Sequence, residues 1–205
     1  MRKILISAIS SRVYVAAIQD QQVVFLEAEN AARTTSSFMA RHTARALHVM
    51  GGVDALGVLV GPGSWTGARI TIATAKGLAL ATQCPVTMIP THDLVWAGRD
   101  PGASGRVVIW AAEREPWHAT YRNGARIAAV EPIEIGSWTL QQVTEGKFDR
   151  KTHVLFDVGR DAPLLDEPFQ ADLMLRAFDI ATTADGAVGA DGLKTPFMPS
   201  YPPKQ

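Results

Sequence analysis

The chain has 205 residues, and its 20 Lys and Arg are balanced by 20 Asp and Glu. That is enough chain for one large core or two small lobes, and there is no global basic excess to drive salt-dependent adhesion to nucleic acid or an anionic membrane. Cys84 is the single cysteine, which excludes an intramolecular disulfide and a cysteine-built zinc site; with no apolar run long enough for a signal segment or a bilayer span, the expectation is a soluble cytoplasmic protein.

Residues 3–9, 12–18 and 22–29 are short β-branched or apolar runs separated by polar breaks, and they predict a three-stranded meander. A helix follows, with Ser36 or Ser37 as its cap. Met39, Thr43, Ala46 and Met50 recur along it at four-three-four spacing, Arg41, Arg45 and His48 share another face, and Gly51-Gly52 ends it. Residues 55–60 form a continuous apolar run between Asp54 and Gly61, as expected of a strand buried on both faces. After a glycine-rich loop, only Gly77 interrupts a helix from Thr66 to Ala81 that is small or apolar nearly all round, so it needs cover on more than one side. Residues 86–89 predict a further strand, and Thr91 opens a helix with Asp93 in its first turn.

Arg99 to Gly105 stops both helix and strand and is read as the boundary between an N-terminal lobe, 1–100, and a smaller C-terminal lobe, 101–205. Beyond it, residues 107–111 and 117–122 predict strands, and Asn123-Gly124 turns the chain into a hairpin strand at 125–130. Residues 138–143, 153–157 and 171–181 read as helix, strand and helix. The tail from 195 to 205, with four prolines, is expected to be extended.

The motif loop Gly61-Pro62-Gly63-Ser64-Trp65-Thr66-Gly67 joins the buried strand to the all-apolar helix, a junction where backbone amides and the helix dipole favour an anion. The plainer reading is a tight turn in which glycines supply positive φ and Ser64 or Thr66 supplies the N-cap. Phosphate-loop spacings do not fit. The three glycines are one residue too far apart for a dinucleotide fingerprint, no Gly-Lys-Ser/Thr closes a Walker loop, and Ser64 lacks the flanking glycines of a nucleophile elbow.

The stretch Gly-Pro-Gly-Ser-Trp-Thr-Gly-Ala-Arg-Ile, followed by Ala73 and Lys76-Gly77-Leu78-Ala79, closely resembles the signature of the TsaB/YeaZ family, usually Gly-Pro-Gly-Ser-Phe-Thr-Gly-Leu-Arg-Ile with Lys-Gly-Leu-Ala. The opening meander, His42-Thr43 and the segment from Glu115 to Tyr121 carry a weaker likeness. The resemblance implies an α/β fold of the actin, sugar-kinase and Hsp70 type, with two related lobes of mixed sheets flanked by helices. It implies a non-catalytic partner of a TsaD-type subunit in making tRNA threonylcarbamoyladenosine, with a TsaE-type ATPase as a further partner and tRNA met only through the complex. An unpartnered chain would homodimerise. In such proteins the helices before and after the signature pack against the partner, which selects Met39, Thr43, Ala46, Met50, Trp65, Arg69, Ile72, Ala73, Lys76 and Leu80 as interface residues. No cofactor of its own is expected, leaving open a nucleotide at the partner interface.

The sequence departs from the family at three places. Ala8 stands where relatives carry an acid at the end of the first strand, which counts against metal-assisted ATP hydrolysis. Trp110-Ala111-Ala112 replaces a common Asp-Ala-Arg, and the segment between His42 and Gly61 is shortened. His42, His48, His92, His118 and His153 show no ligand spacing and read as surface or capping residues, and Asp54, Asp93, Asp157 and Asp161 as caps and turns. The competing readings are an ATP-using actin-like enzyme or peptidase, and a self-associating paralogue outside the pathway.

Overall fold

A computed structural model of the chain describes residues 1–10, 12–30, 33–110, 116–132, 153–157, 171–186 and 188–189. The alternating apolar residues of the N-terminal third form β1 (Arg2–Ser7), β2 (Arg12–Gln19) and β3 (Gln22–Asn30), an antiparallel meander. β4 (Ala55–Gly61) and β5 (Val86–Pro90) add on in parallel beside β1, giving the order β3-β2-β1-β4-β5. Every residue of β4 is buried, because helices cover both faces of the sheet.

The period-two alternation decides which helix each side chain meets. Ile4, Ile6, Val15, Leu56 and Val58 face α1 (Thr35–Met50) and α2 (Trp65–Thr82), whose Met39, Ala46, Ile72 and Ala75 complete that core. Leu5, Ala16, Ile18, Leu59 and Ile89 face the other way, onto Met174, Leu175 and Phe178 of α4 (Ala171–Asp185). Each aliphatic side chain buried this completely contributes about 1.5–3 kcal/mol.

The second sheet has the order β10 (His153–Asp157), β6 (Gly105–Trp110), β7 (Trp117–Arg122) and β8 (Ala125–Arg126), with β9 (Glu131–Pro132) also paired to β7. Asn123 and Gly124 both take left-handed φ, 50° and 79°, the conformation of a two-residue hairpin turn. α3 (Thr91–Ala97) joins the two sheets and lends Trp96 to the core of the second, where it stacks on Tyr121.

Several expectations change. α1 starts at Thr35 rather than behind a serine cap: Thr34 holds the cap position, its hydroxyl donating to Glu29 rather than capping the helix, and the Ser37 hydroxyl donates back to the Thr34 carbonyl. Thr91 opens α3 as expected, with Pro90 at the cap position; its side chain turns inward, and the hydroxyl donates to the Pro62 carbonyl at 2.7 Å. The hairpin strand after Gly124 is only Ala125–Arg126, because β9 takes over the edge of β7. From the segment read as the C-terminal lobe, α4 returns to cover the first sheet, and Val188 bridges Val86. The helix expected at 138–143, the tail at 195–205 and Asp161 lie outside the described residues.

Candidate functional site

The motif loop leaves β4 at Gly61, where φ is 105° and the Gly61–Pro62 peptide is cis, and the chain itself engages its Ser64 and Gly67 amides. Ser64 N–H donates to the Ile9 carbonyl at 2.7 Å, and Ala68 N–H to the Ser64 carbonyl at 2.9 Å. Ser64 is the N-cap of α2: its Oγ accepts from Gly67 N–H at 3.1 Å. A Cβ on Gly67 would run into the Ala8 carbonyl oxygen, and one on Gly63 would lie 2.6 Å from the Ile9 carbonyl oxygen. Two of the three glycines are therefore required by the close approach of the loop to the end of β1.

That geometry tests whether an actin-like nucleotide phosphate fits here. The space at Gly67 is taken by backbone, the Ser64 and Gly67 amides are spent, and Ala8 offers no carboxylate for a divalent cation. The residues at this loop do not fit the group. The loop instead fixes the direction in which α2 leaves the sheet.

The expected interface residues divide into two sets. Met39, Thr43, Ala46, Met50 and Ile72 are buried in the chain's own core, so they are corrected from contact residues to core residues. Four-three-four spacing finds the stripe of a helix that meets its sheet, and on α1 that sheet belongs to the same chain. Thr43 is satisfied there by donating to the Met39 carbonyl at 2.6 Å. Trp65 is half-buried, and Arg69, Ala73, Lys76 and Leu80 point outward from α2, with Leu80 55% exposed. Residues missed by the sequence reading share the surface: Ala40, Ala44 and Val49 of α1, and Gly77 of α2. Their signal was their place between the buried positions, together with the aliphatic Val49 outside the apolar stripe.

The second constellation lies at the junction of the two sheets. Asp93 of α3, with its side chain fully buried, accepts from Arg126 Nε at 2.9 Å and from the Tyr121 hydroxyl at 2.7 Å. Arg126 also meets Asp185 of α4. Burial pushes Asp93 up to about 6 against the pull of Arg126 and Tyr121. His92 beside it is buried, which pushes it down to about 3, and its Nε2–H donates to the Trp117 carbonyl at 2.9 Å. His42 is likewise inside, against the Phe38 ring. His42 and His92 are thus interior groups rather than surface ones, and Asp93 is a clamp rather than a helix cap.

A recess of about 290 Å³, lined by Trp96, Arg99, Asn123, Arg176 and Thr183 among others, has no residue of the motif loop in its wall. Among the described residues no group of three His, Cys, Asp or Glu side chains could hold a metal ion. No helix among them is long and apolar enough to cross a membrane.

No family model and no curated protein matches the chain. Solved structures do: YeaZ from Pseudomonas aeruginosa superposes with a TM-score of 0.65 at 20% identity, over 98% of this chain and 99% of that one. The chain has the YeaZ fold. A second structure, described as an uncharacterized protein with similarity to peptidase YEAZ from Pseudomonas aeruginosa, agrees at a TM-score of 0.64 and 20% identity, over 98% of each chain. The chain's mixed sheets flanked by helices are those that the motif resemblance implied.

Proposed function

We propose that the chain is a TsaB/YeaZ-type scaffold that docks a TsaD-type catalytic subunit for threonylcarbamoyl transfer to tRNA adenosine, with no chemistry of its own. The observation that carries this is the use of the motif loop. Gly63 and Gly67 are pressed onto the end of β1, where Ala8 replaces an acid, and α2 emerges with Arg69, Ala73, Lys76 and Leu80 facing outward. Glycines spent on packing, rather than on phosphate, support a positioning role for the loop. The end-to-end YeaZ fold supports the same reading.

The partner meets α2 and the outer face of α1, while a TsaE-type ATPase and the tRNA join only through the complex, in the cytoplasm. Any nucleotide lodges between the subunits rather than in the motif loop, and without its partner the chain pairs with itself only weakly. Deleting the protein tests the function: nucleoside mass spectrometry of bulk tRNA is expected to show loss of threonylcarbamoyladenosine. Retention of the base would refute the assignment. Saturable ATP turnover by the pure protein would move the reading to an enzyme.

A further inference from the structure

α1 and α2 lie together on one face of the first sheet, where both contribute to the same core. Their 16 and 18 residues contain no Asp or Glu, in a chain whose acidic and basic residues are equal in number. On the outward side stand Arg41 and Arg45 of α1, with Arg69 and Lys76 of α2. Arg45 is held by Glu27 of β3 at 2.9 Å. Arg41, Arg69 and Lys76 make no ion pair with a carboxylate among the described residues. Each helix also ends with an exposed aliphatic side chain, Val49 at 53% and Leu80 at 55%.

We propose that this face selects a protein surface carrying carboxylates and disfavours a second copy of itself. The proposal rests on the docking reading for where the partner sits, and adds what the partner's surface carries. Two copies placed helix face to helix face would set one exposed set of cations opposite another, with no acid on either helix to offset them. A partner with Asp or Glu at those points gains charge-assisted hydrogen bonds instead, and the exposed aliphatic residues at the helix ends add apolar contact. A nucleic-acid partner is the poorer fit, since the outward positions of the two helices present cations and aliphatics but no fully exposed aromatic ring on which a base would stack. The homodimer expected from the family resemblance is therefore the weaker assembly for this face.

The test uses the full chain and its R69E/K76E variant, both substitutions being at exposed positions. Sedimentation velocity is run on each protein alone and on their mixture, at low salt and at about 0.5 M salt, where screening falls within a few ångström. The mixture is expected to associate about tenfold or more tightly than either protein alone at low salt, a difference of about 1.4 kcal/mol, and to lose that advantage at high salt. Wild type that associates with itself as tightly as with the variant, or a mixture strengthened by salt, would overturn the proposal. So would retention of bulk tRNA by wild type and not by R69E/K76E, which would assign the face to phosphates. A TsaD-type subunit from the same source is run in parallel. If it ignores wild type while the mixed pair forms, charge selection stands and the docking reading falls; if it binds wild type and R69E/K76E equally well, docking stands and charge selection falls.

Discussion

Gly67 is the residue on which the motif loop turns. A methyl group there has nowhere to go but into the Ala8 carbonyl, so Gly67→Ala is expected to cost at least about 2 kcal/mol as the loop or the end of β1 is pushed aside. Urea unfolding measures this. A Gly67→Ala protein as stable as wild type would mean the loop does not press on β1. At the sheet junction, Arg126→Ala leaves the buried Asp93 carboxylate without its cation, and a loss of about 3–5 kcal/mol is expected. The pH dependence has a definite sign. Asp93 ionises near 6 in the folded state and near 3.8 unfolded, so between those values the folded form binds the extra proton. Wild type should therefore gain stability relative to Asp93→Asn as the pH falls from 7 toward 4, and melting temperatures of the two proteins across that range check it. Neither role was legible in the sequence: a glycine's neighbours and a carboxylate's depth are set by contacts between distant segments.

At the scale of elements, the helices were readable and their outer faces were not. Periodicity located α1 and α2 and picked Met39, Thr43, Ala46 and Met50 as a stripe, because an amphipathic pattern records where a helix is apolar. It does not say whether the apolar side meets its own sheet or another chain, and here the sheet takes it. The all-apolar appearance of α2 came from small residues: Ala73 and Gly77 are exposed, while Ala68 and Ala75 are buried, and a pattern of alanines carries no direction. The two faces should respond oppositely to substitution. Met39→Ala, inside α1, is expected to destabilise the fold by about 2–5 kcal/mol. Ala73→Glu, outside α2, should leave the melting temperature within about 1 °C, since surface changes away from special features alter stability little. Differential scanning fluorimetry separates the two; comparable losses at both positions would place Ala73 inside.

For the whole molecule, the strands and the crossover helices of the first sheet follow from sequence signals, since the meander, the continuous run of β4 and the glycine loop each announce one element, while the order in which β4 and β5 join β1 comes from the structure. What the sequence left hidden was the return of α4. Its apolar stripe reads as part of a second lobe, yet Met174, Leu175 and Phe178 close the far face of the first sheet, and only the finished topology brings residues so remote in the chain together. Covered on both faces, that sheet is a rigid base from which α1 and α2 present their outer surface. The central claim is that this surface docks a catalytic partner. Co-sedimentation of the protein with the TsaD-type subunit of the same organism tests it most directly, with Ala73→Glu as the control. A heterodimer that forms with wild type and dissociates with Ala73→Glu is the predicted result. No association with wild type, with or without nucleotide, or association untouched by Ala73→Glu, would contradict it.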